Sequence, residues 1–96
     1  MGAKEGQMLE QQFALANAVG LHARAATLLV QTAARFKATV YVRHRARTAD
    51  ARSLLSLLSL GAGRGSTITV QAEGEDAAQV LAAIADLIAG NFGEGS

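Results

Sequence analysis

The residues with the clearest chemical potential are Gly-Leu-His-Ala-Arg-Ala-Ala at 20–26, where a loop is predicted to pass into a helix. The first turn of a helix presents backbone N–H groups without helical partners, together with the positive end of the helix dipole. Such a place binds anions, above all phosphate. His22 offers an imidazole, which is a competent nucleophile, and Arg24 adds a fixed positive charge. A phosphoryl group on His22 would meet these donors, whereas a purely structural interpretation makes His22 a surface residue that caps the helix.

A second segment of interest runs from residue 53 to residue 60 and reads Ser-Leu-Leu-Ser-Leu-Leu-Ser-Leu. Ser53 suits a helix N-cap and Gly61 a helix end, so we expect a helix of about two turns. Its five leucines cannot all face the core of so short a helix. Leu57 and Leu60 are expected in the core, and the surplus leucines are exposed apolar surface of the kind that marks a contact site.

The other ionisable residues give weaker signals. Arg43, Arg45, Arg47 and Arg52 form a basic cluster, and nucleic-acid binding would need aromatic side chains or a docking helix beside them. A solvated sheet edge or an acidic protein partner is the favoured interpretation, and His44 is expected at the surface. Two histidines without cysteine or a nearby carboxylate pair do not indicate a metal site, and we expect neither metal nor cofactor.

The elements that position these residues belong to one small domain of 96 residues, expected over 1–96 with a core at about 9–92 and flexible ends at 1–8 and 93–96. Half of the residues are apolar, 18% are charged and the net charge is +1, as in a globular protein. The chain has no apolar run of membrane-spanning length, no signal-peptide pattern and no cysteine. We therefore expect a cytoplasmic protein that binds neither membrane nor nucleic acid. A domain this small favours a surface site served by larger partners.

Apolar spacing predicts four strands and three helices. The strands are expected at 9–16, 37–45, 47–51 and 66–72, and the helices at 23–35, 53–60 and 76–90. Asp76 and Gln79 are expected to form a capping box at the start of the last helix. This order predicts an α+β fold of two layers, with an antiparallel sheet favoured by the short links.

Residues 20–26 resemble the active-site signature of the HPr family, the histidine phosphocarriers of the bacterial phosphotransferase system, which usually reads Gly-[Leu/Met]-His-[Ala/Thr]-Arg-Pro-Ala. Ala-Arg-Ser-Leu-Leu at 51–55 resembles the family's regulatory-serine helix, and residues 71–76 resemble the last turn before its third helix. The resemblance spans roughly 9–92. It implies a βαββαβα open-faced sandwich with a four-stranded antiparallel sheet and three helices on one face.

The resemblance also implies a function and its residues. Enzyme I, phosphorylated from phosphoenolpyruvate, would pass its phosphoryl group to Nδ1 of His22, which would pass it to a IIA protein or domain. Arg24 and the backbone amides of Ala23, Arg24 and Ala25 would stabilise the phosphoryl charge. Such carriers are classed with transferases but have no multi-turnover chemistry of their own, and a monomer is expected.

The resemblance also implies roles for residues of the second segment, 53–60. The serine that matches Ser53 is phosphorylated in some bacteria by a dedicated kinase, HPr kinase/phosphorylase, which reduces transfer from Enzyme I. As an N-cap, Ser53 equally needs no functional explanation. Leu54, Leu55 and Leu58 match positions at which the family meets its partners, and core packing is the alternative for each.

The sequence departs from the family pattern at Ala25, where proline is usual, and at Val19, where some members keep a polar residue. Alanine leaves the first helical turn an extra N–H donor and more freedom. A regulatory HPr-like module, whose phosphorylation state signals to a kinase or a transcription regulator, is the alternative function. A small-ligand-binding α+β domain is a third, and it would need a polar pocket. Sugar transport and nitrogen-type regulation stay equally open as the branch of the system.

Overall fold

The regular elements follow the predicted order in the computed structural model, which describes residues 8–94. The strands are β1 (Met8–Ala14), β2 (Thr39–His44), β3 (Arg47–Asp50) and β4 (Thr67–Glu73). The helices are α1 (Ala23–Ala34), α2 (Leu54–Leu58) and α3 (Ala77–Ala89), followed by a 3₁₀ turn at Asn91–Gly93. All strand pairs are antiparallel, in the order β1-β4-β2-β3. The predicted α+β fold with four strands and three helices is therefore confirmed.

The core lies between the sheet and the helices. Alternate residues of the central strands are fully buried, and the register places Val42 of β2 directly opposite Val70 of β4. The helices add their own apolar stripes at the predicted spacing, with Leu29 on α1 and Ile84 on α3 both fully buried. Burial of one sheet face against one helical layer defines the fold.

The start of α3 differs from the prediction. Asp76 precedes the helix, but its side chain makes no capping hydrogen bond, so the expected capping box with Gln79 is wrong. The carboxylate instead accepts hydrogen bonds from the backbone N–H groups of Lys37 and Ala38, each at 2.8 Å. These bonds, with Lys37 first, hold the pKa of Asp76 below its ordinary value. They also explain why β2 begins at Thr39 and not at Lys37, since both preceding residues bond to Asp76 and not to a neighbouring strand.

Helix α2 is shorter than predicted. Ser59 is its C-cap, and the N–H of Leu60 bonds to the carbonyl of Leu57, three residues back. Gly61 follows with φ +64°, a left-handed conformation that glycine adopts without strain. The chain thus leaves the helix at Leu58 although the leucine pattern continues to residue 60.

The expected loose ends, 1–8 and 93–96, fall partly outside the described residues, which exclude 1–7 and 95–96. Met8 pairs with Glu73 in the sheet, Gly93 belongs to the 3₁₀ turn, and Glu94 reaches the site described below. These three residues are therefore part of the fold. Within residues 8–94, none of the helices is both long and apolar enough to span a bilayer.

Candidate functional site

The loop before α1 is seated on the loop that follows α2. Gly20 has φ +74°, and a Cβ atom there would come within 2.5 Å of the carbonyl oxygen of Ala62. The N–H of Leu21 donates to that same carbonyl oxygen at 2.8 Å. Only glycine permits so close an approach, so this position fixes the path by which the chain reaches His22.

His22 is the N-cap of α1, as predicted. Its backbone is extended, with φ −89° and ψ −177°, and its carbonyl accepts the first helical hydrogen bond from Ala26 at 2.8 Å. Its Nδ1 accepts a long hydrogen bond from the N–H of Arg24 at 3.4 Å. The lone pair of Nδ1 therefore lies beside the first helical turn, where the N–H groups of Ala23, Arg24 and Ala25 have no carbonyl partner within the helix.

The other ring nitrogen contacts a carboxylate from the far end of the chain. Nε2 of His22 lies 2.6 Å from Oε2 of Glu94, and the two side chains are 29% and 15% exposed. The hydrogen bond from His22 is the main cause that lowers the pKa of Glu94 below its ordinary value, with a smaller contribution from Asn17. An ionised carboxylate only accepts, so Nε2 carries the proton and Nδ1 of the neutral ring keeps its lone pair.

Asn17 ties this carboxylate to the site loop. Its Nδ2 donates to Oε1 of Glu94 at 3.3 Å and to the carbonyl of Gly20 at 2.7 Å. The residue is 1% exposed, and its Oδ1 is buried without a hydrogen-bond partner among residues 8–94. The amide oxygen of Asn17 therefore lacks a hydrogen bond, while the amide nitrogen joins Glu94 to the Gly20 turn.

The turn after α3 brings Glu94 to His22. Asn91, Phe92 and Gly93 all have positive φ, of 54°, 54° and 74°. A left-handed phenylalanine is strained, and its side chain compensates because it is 1% exposed in the core. This turn reverses the chain so that the next residue, Glu94, meets the start of α1.

Sequence reasoning missed Asn17 and Glu94. The sequence signal for Asn17 was weak: an asparagine three residues before a glycine, in a turn closed by the Gly20 N–H to the Asn17 carbonyl at 3.2 Å. Glu94 lies 72 residues from His22, and no local pattern marks it.

Arg24, the other predicted site residue, lies in the first turn of α1 and is exposed. Its guanidinium makes no salt bridge to the residues that the structure describes. The site thus combines one nucleophilic nitrogen, a row of N–H donors and an exposed guanidinium. This is an arrangement that can receive a phosphoryl group.

Ser53 and the leucines lie on α2, which packs beside α1. Ser53 caps the helix, since its Oγ accepts from the N–H of Ser56 at 3.2 Å. Leu57 and Leu60 are buried, as predicted. Leu54 and Leu55 are 36% and 79% exposed, and Leu58 is half-buried, so the surplus leucines do reach the surface.

The basic cluster and His44 are arranged differently from the prediction. His44 is buried, with Nδ1 2.8 Å from the carbonyl oxygen of Leu60, so its expected surface position is wrong. Arg45 lies in the β2–β3 turn and Arg47 begins β3, whereas Arg52 lies beyond the far end of β3. The described part of the chain, 8–94, brings no three metal-ligating side chains together.

Comparison with known proteins places this geometry in a family. The family model described as "PTS HPr component phosphorylation site" matches residues 9–90. The phosphocarrier protein HPr of Neisseria meningitidis serogroup A is 40% identical over 88 residues, which is 92% of this chain and 99% of that protein. The crystal structure of HPr-C-His from Thermoanaerobacter tengcongensis superposes with a TM-score of 0.88 at 36% identity, covering 92% of this chain and 99% of that one. HPr from Bacillus anthracis gives a TM-score of 0.80 at 37% identity, over 84% and 96%.

Proposed function

The chain belongs to the HPr family of phosphocarrier proteins of the phosphotransferase system, and we propose that it accepts a phosphoryl group on Nδ1 of His22 and passes it on. The observation that best supports this residue is its double hydrogen bonding. Nδ1 lies beside the first N–H groups of α1, and Nε2 is held by Glu94 at 2.6 Å.

Phosphoryl acceptance needs no base at this site. Because Nε2 carries the proton, the lone pair of Nδ1 can attack phosphorus directly. The new N–P bond forms as the bond between phosphorus and the donor's leaving atom breaks, and that atom keeps the electron pair. The ring then bears a phosphoryl group on one nitrogen and a proton on the other, so it becomes cationic. The Glu94 carboxylate offsets this positive charge, much as a carboxylate supports the imidazolium in a hydrolase triad.

The transferred group would replace Nδ1 as the partner of the first helical turn. The N–H of Arg24, 3.4 Å from Nδ1, would donate to a phosphoryl oxygen, and the amides of Ala23 and Ala25 would do the same. The exposed guanidinium of Arg24 would add a charge-assisted contact. These contacts are stronger once the phosphoryl charge is present, so they favour the loaded state without holding the group irreversibly.

The proposed donor is phospho-Enzyme I, and the acceptor is a IIA protein or domain. Leu54 and Leu55 are exposed on α2, which packs beside α1, and they would give these partners an apolar contact. Phosphorylation of Ser53 by HPr kinase/phosphorylase would place about two negative charges beside these leucines and oppose docking. Membership of the family is also the basis for placing this exchange in the cytoplasm.

Intact mass spectrometry tests the proposal. The chain is incubated with Enzyme I from the same organism, Mg²⁺ and phosphoenolpyruvate, beside His22→Ala. We expect an acid-labile gain of one phosphate on the wild-type chain and none on the variant. Equal gain in both would exclude His22, and no gain in either would favour the regulatory module that responds to other signals.

A further inference from the structure

A polar cleft lies between the β2–β3 turn and the segment that leads into β4. Its volume is about 440 Å³, and it is lined by His44, Arg45, Arg64, Gly65, Ser66 and Thr67. The cleft is open to solvent and mainly polar, so it suits a small polar ligand that binds at the surface. None of the lining side chains is acidic, so two guanidinium groups meet there without a carboxylate to neutralise them.

The backbone at Arg45 is strained. Its φ is +56°, in the left-handed region where hairpin turns ordinarily carry glycine or asparagine. A residue kept against its backbone preference points to a use for its side chain. Arg45 and Arg64 are both exposed, and neither forms a salt bridge with any residue in 8–94. Two arginines on one cleft can hold a phosphate group through several charge-assisted hydrogen bonds.

His44 gives the cleft a fixed polar group. The carbonyl oxygen of Leu60 only accepts, so Nδ1 of His44 donates to it at 2.8 Å and leaves Nε2 as an acceptor on the neutral ring. Nε2 has no hydrogen-bond partner among the described residues, and His44, a residue that is 9% exposed, is one of those that line the cleft. An acceptor held in place beside the hydroxyls of Ser66 and Thr67 fits a ligand that itself carries hydroxyl groups.

The charge distribution of the whole domain favours an anion here. Arg43, Arg45, Arg47 and Arg64 lie at this end of the sheet. Four acidic residues lie at or near the other end, where Lys37 and Arg52 offset part of their charge: Glu10, Glu73, Glu75 and Asp76. The net charge of +1 therefore hides a strongly basic end. Opposite charges separated in this way attract anions to the basic end.

We propose that this cleft binds a phosphate monoester of a small polyhydroxylated molecule. Arg45 and Arg64 hold the phosphate, and Nε2 of His44 accepts a hydrogen bond from a ligand hydroxyl. The site is separate from His22, although the two adjoin through one loop: Gly65 donates to the carbonyl of Leu15 at 2.7 Å, and Ala62 accepts from Leu21 at 2.8 Å.

Amide chemical shifts measured during a titration with glucose 6-phosphate at constant ionic strength test this site. We expect saturable shifts at Gly65, Ser66 and Thr67, with half-saturation at about the millimolar level. Arg45→Asn and Arg64→Gln should each weaken binding at least about fivefold. Asparagine is chosen for residue 45 because it tolerates the left-handed conformation. The matched control is Arg35→Gln, which removes the same charge at the end of α1 and should leave binding unchanged.

Other ligands and one further variant separate the alternatives. Glucose should cause no shifts, and inorganic phosphate should bind more weakly than the ester. Shifts that stay linear with concentration, or that sodium sulfate reproduces, would overturn the proposal, as would an equal loss in Arg35→Gln. Binding of an acidic peptide in place of the ester would also overturn it and assign the cleft to protein docking. His22→Ala should bind the ester like the wild type, so failure here is distinguishable from failure of the phosphocarrier proposal.

Discussion

The two histidines of the chain are held in different ways, and the difference separates a reactive imidazole from one that is not placed to react. His22 bonds to a carboxylate through Nε2 and leaves Nδ1 at the positive end of a helix. His44 bonds to a backbone carbonyl through Nδ1 and is 9% exposed. The residue type is the same, so reactivity depends on which nitrogen is engaged and on what surrounds the other one.

The largest expected effect comes from removing each histidine in turn. His22→Ala should abolish phosphoryl acceptance but lower the free energy of unfolding by only about 1 kcal/mol, the loss of an N-cap. His44→Ala should keep acceptance and lower the free energy of unfolding by about 2–4 kcal/mol, because it opens a cavity and leaves the Leu60 carbonyl unpaired. Intact mass and urea denaturation of both variants measure the two effects. If His44→Ala lost phosphoryl acceptance and His22→Ala caused the larger loss of stability, the difference drawn here between the two histidines would be wrong.

The second-largest expected effect comes from Glu94, whose carboxylate contacts His22 and has no counterpart at His44. Glu94→Ala should slow phosphoryl acceptance roughly 10- to 100-fold, the size expected when a group that orients an imidazole is lost. Glu94→Gln should recover part of the rate, because its carbonyl oxygen still accepts from Nε2 but carries no charge. Rapid-quench measurements with phospho-Enzyme I report the rates, with Glu75→Gln as an exposed control. An unchanged rate in Glu94→Ala would show that the contact has no role in transfer.

The carboxylate of Glu94 also makes the free energy of unfolding depend on pH. The hydrogen bond from His22 lowers the pKa of Glu94 in the folded chain below the ordinary 4.5. Glu94 therefore contributes stability that is complete above about pH 4.5 and is lost as pH falls through the lowered value. Urea midpoints measured between pH 6 and pH 3 should fall less steeply for Glu94→Gln than for the wild type. Identical slopes, with Glu75→Gln as the control, would contradict this hydrogen bond between His22 and Glu94.

The smallest effect concerns Ala25, one of the two positions at which the resemblance leads us to expect a different residue. Ala25 is the third residue of α1, in the first turn, where proline is tolerated because no helical N–H bond is lost. Ala25→Pro should change the free energy of unfolding by no more than about 1 kcal/mol. It should also shorten the phosphohistidine lifetime by a few-fold, since one N–H donor is removed. A loss of acceptance comparable to that of His22→Ala would contradict this role for the first turn.

The spacing of apolar residues predicted those features of the fold that depend on residues close together in the sequence. The apolar stripe of α1 and the loop-to-helix position of His22 follow from local spacing, and both are as expected. The burial of His44 could also have been predicted, because it continues the alternation of Val40 and Val42 along β2. The neighbouring Arg43 and Arg45 instead indicated a surface position.

Contacts between distant segments could not be predicted in the same way. Glu94 reaches His22 only because three successive left-handed residues reverse the chain after α3. Asp76 has the residue type of a helix cap, but its carboxylate bonds instead to two N–H groups nearly 40 residues away in sequence. In both cases the local sequence is compatible with several hydrogen-bond partners for the carboxylate, and the tertiary fold determines which partner it has.

¹⁵N NMR of the His22 ring before and after phosphorylation tests the proposed role of this residue most directly. In the unloaded chain with a neutral ring, we expect a proton on Nε2 and none on Nδ1. After loading, we expect phosphorus coupled to Nδ1 while Nε2 keeps its proton. A proton on Nδ1 in the unloaded chain, or phosphorus on Nε2 after loading, would contradict the role given to Glu94 and to the start of α1.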